Sequence, residues 1–452
     1  MPAKKVVIIG AGCAGLSAAY TLRKHGVETI VFEASDVAGG RCRTEWMDGY
    51  EITAGAATTE PQWATTFQYI KELGLEDRVR AGHKLRFAYY INGRMRTIFL
   101  GLSIQTLGEN IRFFFNGFPQ FTYLHIARAF VALRKYMKYV DTKRHDFSAL
   151  GEISNMSTKD FLLENNAPLA HEWMFHPFMK MMVLERPSEI SIAHPISLFS
   201  LMQDMRTLDG GLGMVTAGLY EKVKDCVRLN MPVKKVVIQD RKVLGVETSD
   251  GFIEADQVIC AVDAVVARQL IPDLPESMRM PLETCRYSST YYYQFGLEKP
   301  IINWKDTPVY VVVMPSTSDS FLNFASLGHH SREKPVAIVA TAGRFDDELC
   351  TMSDEERRRA VIKEVQRFAP FFPDEPKVTK YFRWDRAINT EPPGQYVAIQ
   401  NLLNNHIRDV DGLYLAGEYL FLIACTEGAL ATGKKAAEMV VEDLATEKQD
   451  PN

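Results

Sequence analysis

Three glycines near the N-terminus, at the spacing G-x-G-x-x-G, constrain the fold of this chain more than any other feature. Gly10, Gly12 and Gly15 follow an unbroken apolar run, Val6–Ile9, which predicts a strand buried on both faces. Apolar residues then recur at helical spacing over residues 16–22, which predicts a helix directly after the glycine turn. Strand, turn and helix together predict the first half of a βαβ unit.

The second strand of this unit ends in an acidic residue. A further apolar run, Thr29–Phe32, leads into Glu33, eighteen positions after Gly15. In such a unit Gly10 permits a tight turn, Gly12 lets the backbone approach a pyrophosphate, and the N–H groups of the helix N-terminus face the anion. A carboxylate at the end of the second strand accepts hydrogen bonds from a ribose diol. We therefore predict that the chain binds a dinucleotide.

Two more stretches, one early and one late, extend this signal. The early one contains Gly39, Gly40 and Arg41; the late one joins an Ala-Gly-Glu segment ending at Glu418 to Thr-Glu-Gly-Ala from Thr426. Together with the glycine pattern, they resemble the flavin-dependent amine oxidoreductase superfamily, which includes monoamine oxidases, protoporphyrinogen oxidases and phytoene-type desaturases. The resemblance implies that the dinucleotide is FAD, wrapped by the glycine–arginine turn and held by the late carboxylate.

The resemblance also assigns cofactor contacts along the chain. In the family, the helix after the late carboxylate points its N-terminus at the pyrimidine end of the flavin, and a hairpin passes the adenine. The residues expected to hold FAD are Gly10, Gly12, Ala14, Gly15, Glu33, Ala34, Gly39, Gly40, Arg41, Gly55, Ala56, Ala57, Val233, Trp384, Gly417, Glu418, Thr426 and Ala429. Some oxidases of the family attach FAD covalently through a cysteine in the region that matches the stretch between Cys350 and Cys425. This chain has no cysteine in that stretch, so we expect FAD to be bound non-covalently.

The order of apolar segments predicts an α/β fold in which two domains interleave. We expect a Rossmann-like FAD-binding domain made of residues 1–61, 206–285 and 386–452. Residues 62–205, which are helical in pattern and rich in aromatic residues and methionine, form one part of the substrate domain. Residues 286–385 read as alternating strands and form the other part, so the substrate domain is α+β, a mixed sheet plus helices.

Composition excludes several classes of function. The net charge of −4 gives no reason to expect a nucleic acid partner. The seven cysteines include no C-x-x-C pair, which argues against a zinc site and for a reducing compartment. No stretch of about 18 uncharged apolar residues occurs, so no membrane span is expected. We predict a cytoplasmic enzyme without a metal; the oligomeric state stays open.

The positions expected beside the substrate differ from those of amine oxidases. In the family, amine oxidases typically carry a lysine, water-bridged to flavin N5, on a strand matching residues 287–296, where no lysine occurs. Our register puts Tyr291 in its place. Cys425 replaces an aromatic residue that helps to cage the amine. We take Tyr291, Trp384 and Cys425 as pocket candidates, and both departures favour the protoporphyrinogen oxidase and desaturase branch.

We therefore predict an FAD-dependent oxidoreductase that dehydrogenates a sizeable hydrophobic substrate at C–C or C–N bonds. Hydride passes to flavin N5 and then to oxygen or another acceptor. Three alternatives stay open: a flavin amine oxidase whose lysine this register misplaces, a redox-neutral flavin-dependent isomerase, and a non-catalytic FAD-binding protein.

One helical segment permits a membrane contact. Residues 111–140 mix Phe and Tyr with five basic residues, Arg112, Arg128, Arg134, Lys135 and Lys138. The segment is either an amphipathic face that docks on a membrane surface or a set of core helices with solvated basic side chains. We favour core helices, because aromatic stripes usually belong to cores; peripheral membrane association remains the alternative.

Overall fold

A computed structural model of the 452-residue chain describes most of its length. The described residues are 5–80, 86–91, 94–99, 108, 111, 118, 121–140, 148–201, 205–299, 311–315, 320–327, 334–421 and 423–449. Of the segment 111–140, residues 112–117 and 119–120 therefore lie outside the described residues.

Strands and helices alternate at both ends of the chain, with a helical stretch between them. The strands are β1 Val6–Ile9, β2 Thr29–Phe32, β3 Thr44–Met47, β4 Tyr50–Thr53, β5 Val79–Arg80, β6 Arg86–Ile91, β7 Arg94–Phe99, β8 Thr207–Leu208, β9 Val227–Arg228, β10 Lys235–Gln239, β11 Lys242–Thr248, β12 Gly251–Glu254, β13 Gln257–Cys260, β14 Thr290–Gly296, β15 Val311–Pro315, β16 Leu322–Ser326, β17 Val336–Thr341, β18 Val378–Trp384 and β19 Leu413–Leu415. The α-helices are α1 Cys13–Lys24, α2 Ala64–Glu72, α3 Thr122–Met137, α4 Thr158–Glu164, α5 Pro168–Ala170, α6 His176–Met182, α7 Ala193–Leu201, α8 Gly213–Val223, α9 Ala264–Leu270, α10 Glu276–Thr284, α11 Asp346–Cys350, α12 Asp354–Phe368, α13 Gln395–Asn401 and α14 Thr426–Gln449.

A five-stranded parallel sheet forms the centre of the nucleotide-binding half. Its strand order is β19-β13-β1-β2-β9, with Ile8 of β1 opposite Val31 and Ile259 of the neighbouring strands. The β1 strand is buried on both faces, as expected for a parallel sheet covered by helices. This arrangement confirms the predicted α/β, Rossmann-like fold, and its strands come from three separate stretches of the chain.

The first and last helices pack against each other at very short range. A Cβ atom on Gly433 of α14 would lie 2.0 Å from the carbonyl oxygen of Ala14 in α1, so only glycine fits there. Ser17 Oγ donates a hydrogen bond to the Leu430 carbonyl at 2.7 Å. The packing brings the two ends of the chain together beside the glycine turn.

A seven-stranded mixed sheet forms the other half. Its strand order is β18-β14-β17-β16-β15-β6-β7, and the β15–β6 pair is parallel whereas the other pairs are antiparallel. A separate antiparallel sheet has the strand order β10-β11-β12. Strands β14 and β18 end next to the nucleotide-binding half and therefore carry residues toward the site.

The helices α3–α7 surround a core of aromatic residues and methionine. Phe175, Phe178 and Met179 are buried at its centre, and a π-helix, His171–Phe175, joins α5 to α6. The rings of Phe178 and Phe199 are stacked with centroids 5.5 Å apart. The methionine-rich cluster around α6 therefore packs as core.

A buried carboxyl on β4 makes stability depend on pH. Burial, with repulsion from Asp209, raises the pKa of Glu51 from 4.5 to about 7. Because the folded protein holds this proton more tightly than the unfolded chain, stability falls as pH rises from about 4.5 to about 7 and then levels off. We expect Glu51→Gln to stabilise the protein by up to about 3 kcal/mol at about pH 8 and to change little near pH 4.5.

Urea unfolding at the two pH values measures this difference. Glu28 is exposed, and Glu28→Gln serves as the matched control for the same change at the protein surface. An equal effect of Glu51→Gln at both pH values would show that this carboxyl does not hold a proton in the folded protein.

Candidate active site

The turn between β1 and α1 leaves open space at the N-terminus of the helix. Gly10 has φ +97°, a conformation that side chains rarely adopt. A Cβ atom on Gly12 would meet no heavy atom within 4 Å, and no side chain caps the helix there. A Cβ on Gly15, by contrast, would lie 1.8 Å from the Gly10 carbonyl oxygen. The open space and the uncapped N–H groups fit the pyrophosphate of a dinucleotide.

The carboxylate after β2 is held beside the glycine turn. Glu33 Oε2 accepts a hydrogen bond from the Ala11 N–H at 2.7 Å, and Oε1 accepts from the Ser35 N–H and hydroxyl at 2.9 and 2.8 Å. The Met231 N–H donates to the Glu33 carbonyl at 2.8 Å, which brings the segment before Val233 to the same place. Ala34 is exposed beside them. The residues predicted for the ribose and adenine thus lie together.

Arg41 connects the early and late stretches. Its guanidinium donates to Glu418 Oε1 at 2.8 Å and to the Ala387 carbonyl at 2.9 Å. Burial alone would lower the pKa of Arg41, but the attraction and hydrogen bond to Glu418, together with the charges of Tyr287 and Asp263, raise the pKa, so the arginine stays charged. Gly39 and Gly40 before it both have positive φ, +104° and +53°. The tight turn and the ion pair bring 39–41 and 417–418 to one cleft.

The N-terminus of α14 lies close to the same cleft. The helix begins at Thr426, and Cys425 Sγ accepts a hydrogen bond from the Gly428 N–H at 3.4 Å. The Glu427 carboxylate turns away and caps α2, accepting from the Thr65 N–H at 2.9 Å. Gly417 is held by the hydroxyl of Thr432, which accepts its N–H at 3.0 Å. These contacts therefore fix the position of the start of α14. Ala429 lies in the first turn of this helix.

Backbone from residues 54–57 lines the cleft opposite α14. Trp384 Nε1 donates to the Ala54 carbonyl at 2.8 Å, and the Ala56 N–H donates to the Arg41 carbonyl at 3.1 Å. The Tyr292 hydroxyl donates to the Gly55 carbonyl at 3.3 Å. Ala57 is half-buried next in the chain. Trp384 thus joins the predicted cofactor residues, and Tyr292 joins them although the sequence analysis did not name it.

Tyr291 does not join this group. Successive side chains of a strand point to opposite faces, and Tyr291 packs on the face of β14 away from Gly55. Its ring centroid lies 4.3 Å from the Arg357 guanidinium carbon and 4.7 Å from that of Arg383. Tyr291 and Tyr292 therefore lie on opposite faces of β14. Tyr292 and the buried Gln294, which accepts from the Thr53 N–H at 3.0 Å, lie on the other face.

Comparison with known proteins identifies the family of this chain. Residues 13–441 match the family model described as flavin-containing amine oxidoreductase. The chain belongs to this family. It is therefore an FAD-dependent oxidoreductase, as the glycine pattern and the late Ala-Gly-Glu segment predicted.

Relatives of this flavin-containing amine oxidoreductase carry several different names. It is 25% identical to polyamine oxidase 4 of Oryza sativa subsp. japonica over 477 residues, covering 99% of this chain and 90% of the relative. The solved cyclohexylamine oxidase from Brevibacterium oxydans matches with a TM-score of 0.77 at 20% identity, covering 98% and 100% of the two chains. A protein of Exiguobacterium sp. 255-15, provisionally named protoporphyrinogen oxidase, matches with a TM-score of 0.75 at 18% identity, covering 98% and 100%. The two structural matches show the fold.

A buried pair of side chains, His194 and Glu391, was missed by the sequence analysis. His194 Nδ1 lies 2.9 Å from Glu391 Oε2, and Glu391 Oε1 accepts from the Ala424 N–H at 2.8 Å. Burial raises the pKa of Glu391, although His194 opposes the shift. The pair borders a cavity of about 410 Å³ that Tyr419 and Phe421 also line. No local pattern marks a pair 197 residues apart in the chain.

Cys425 is half-buried at the start of α14, and desolvation by the surrounding protein raises the pKa of its thiol, so the thiol is uncharged at neutral pH. In the described part of this oxidoreductase, no three His, Cys, Asp or Glu side chains gather closely enough to hold a metal ion. Within the same residues, no helix has both the length and the hydropathy needed to cross a bilayer.

Replacing the Glu33 carboxylate tests its predicted role in this oxidoreductase. We expect Glu33→Gln to weaken FAD retention by about 1–3 kcal/mol, the cost of losing a charge-assisted acceptor. Fluorescence titration of the apoprotein with FAD measures the dissociation constant. Because Gln keeps one carbonyl acceptor for the Ala11 N–H, the fold should persist. An unchanged dissociation constant would remove Glu33 from the site.

Proposed function

We propose that this enzyme dehydrogenates a sizeable hydrophobic substrate at a C–C or C–N bond. Bound FAD supplies the hydride acceptor. The chain would hold FAD without a covalent bond, with the pyrophosphate at Gly12 and Arg41 and the ribose at Glu33. The backbone at Gly55 and the start of α14 would hold the flavin.

The observation that carries this proposal is that apolar residues, here called the apolar wall, connect the cluster around Trp384 to the helical core. Phe324 and Ile388 pack against the cluster that contains Tyr292 and Trp384, and they also pack against the helical core. The rings of Tyr292 and Phe324 are 6.5 Å apart. Cys425 packs on the same helical core. A substrate located between the cleft and the helices would therefore meet aromatic and aliphatic groups.

The same residues explain how the chain could support the reaction. An apolar wall excludes water, which strengthens the electrostatic effects inside the site. The positive end of the α14 dipole, beginning at Thr426, favours negative charge that develops near it. Trp384, fixed through its indole N–H to the Ala54 carbonyl, would orient the substrate. A substrate activated by conjugation requires no strong base from the protein.

Oxidation of an amine is the second candidate, and the relatives favour it. One relative is named a polyamine oxidase and one structural match a cyclohexylamine oxidase. A hydrophobic amine would also fit the apolar wall. Because no lysine is present on β14, that strand offers no amine base to take a proton from the substrate. The site would therefore bind the amine in its uncharged form, after the solvent has taken up the proton.

Anaerobic reduction of the enzyme-bound flavin separates the candidates. The holoenzyme is mixed without oxygen with porphyrinogens, polyenes, hydrophobic amines and short hydrophilic diamines, and the loss of flavin absorbance is followed. Bleaching by a hydrophobic compound supports the proposal, and bleaching confined to amines selects the second candidate. Bleaching by hydrophilic diamines alone contradicts a hydrophobic substrate. Turnover without consumption of an electron acceptor would indicate an isomerase. If no compound bleaches the flavin, the chain is a non-catalytic FAD-binding protein.

A further inference from the structure

The outward face of α3 combines apolar and basic side chains. Phe121, Leu124 and Val131 are 59%, 43% and 66% exposed. Positions 124, 128, 131, 135 and 138 follow at spacings of three and four residues and therefore lie on one face of the helix. Arg128, Lys135 and Lys138 alternate on this face with the exposed apolar residues. We call this face the outer face of α3.

The opposite face of α3 packs against the helical core and holds the helix in place. Ile126, Ala129 and Leu133 are buried in the helical core. The ring of Phe130 lies 5.3 Å from that of Phe199 on α7, centroid to centroid. A helix anchored on one side in this way presents its other side as a rigid surface.

The charge of this surface has one sign. Residues 121–140 contain four basic residues and no Asp or Glu. Among the described residues, none of the four basic side chains forms an ion pair, and Arg128 donates only to the Asn166 carbonyl, at 3.3 Å. The whole chain carries a net charge of −4, so this helix opposes the overall charge. Its surface therefore attracts an anionic partner.

We propose that the outer face of α3 docks on the surface of an anionic lipid bilayer. Basic residues interleaved with exposed apolar residues are what an interfacial helix needs: the apolar side chains enter the headgroup region and the cations pair with lipid phosphates. A nucleic acid would use the cations but leave Phe121, Leu124 and Val131 in water. A second copy of the same face would be repelled by its charge. The inference is independent of the substrate proposed above.

Sedimentation of the holoenzyme with lipid vesicles tests the proposal. The expected result is co-sedimentation with phosphatidylcholine vesicles that contain phosphatidylserine, loss of binding at high salt, and little binding to phosphatidylcholine alone. Each basic residue near an anionic surface contributes about a fivefold change in partition. The double variant Lys135→Glu and Lys138→Glu should therefore bind at least about 25-fold more weakly.

Matched control variants distinguish docking through this face from a general effect of net charge. Lys71→Glu with Lys363→Glu makes the same change in net charge at exposed positions on α2 and α12, and it should bind as the parent does. Lys135→Arg with Lys138→Arg keeps the charge and should also bind. Leu124→Glu with Val131→Glu should abolish binding, whereas Phe252→Glu, at a residue 53% exposed on β12, should not.

Flavin absorbance and the melting temperature of every variant verify that it is folded. Equal binding to vesicles with and without phosphatidylserine, binding that survives charge reversal at Lys135 and Lys138, or no binding by the parent protein would each overturn the proposal.

Discussion

Gly12→Val is expected to yield a folded protein that is colourless because it has lost FAD. The structure shows why the two effects separate. A Cβ at Gly12 meets no protein atom within 4 Å, and the backbone there has φ −79°, which valine adopts readily. The added side chain would fill the space that the pyrophosphate needs. We expect affinity for FAD to fall by more than about a hundredfold, roughly 3 kcal/mol, the upper range for overpacking a close fit.

Gly15→Ala is the contrasting variant. Its Cβ would lie 1.8 Å from the Gly10 carbonyl oxygen, so the turn itself cannot form without displacement. We expect this variant to be unstable with or without FAD. The absorbance of the bound flavin and the urea midpoint of the apoprotein distinguish the two variants, Gly12→Val and Gly15→Ala. Full FAD content in Gly12→Val would contradict the assignment of the pyrophosphate to this turn.

Arg41→Met should produce the second largest effect, on both stability and cofactor binding. The substitution leaves Glu418, whose side chain is only 10% exposed, without its cation. Removing one member of a buried pair is costly because the remaining charge loses its compensation. Since Arg41 is itself 31% exposed, we expect a loss of about 3 kcal/mol in the free energy of unfolding, at the low end for such pairs.

A double variant separates the two roles of Arg41. Adding Glu418→Gln to Arg41→Met removes the unpaired charge, so stability of the apoprotein should recover most of the loss. Binding of FAD should stay weak, because both groups expected at the cofactor are gone. Urea unfolding of the apoproteins and titration with FAD measure the two quantities. A double variant as unstable as the single one would show that the ion pair is not the source of the effect.

The effects expected for Gly12→Val and Arg41→Met depend on the same feature of the fold. Gly12 and Arg41 lie in the N-terminal stretch, whereas Glu418 follows β19 near the other end of the chain. The close packing of α1 on α14 holds these parts together. A defect anywhere in that packing should therefore appear first as weak FAD binding.

Much of the nucleotide-binding half could be predicted because its signals are local. The strand β1, the glycine turn and α1 follow one another directly, and each residue type has a reason that needs no distant partner. The family model then confirmed the resemblance, and with it FAD and the oxidoreductase class.

The substrate side could not be predicted as well because it depends on the register of a strand. On β14, a shift by one residue exchanges the two faces, so Tyr292 and not Tyr291 lies beside Gly55. A run of three tyrosines offers no polar alternation to fix that register. Cys425 lies directly before α14, and its packing against the helical core became apparent only from the tertiary structure.

The sequence by itself determined the dinucleotide-binding unit, the family and the need for FAD, because these depend on residues that act with their immediate neighbours. Only the tertiary structure decided which faces of β14 and α3 point inward, that Arg41 pairs with Glu418, and that His194 pairs with Glu391. Those contacts join residues far apart in the chain, and the hydrophobic pattern along the chain does not specify which of many apolar surfaces meet. Folding selects among them by packing and by the cost of leaving a buried charge unpaired.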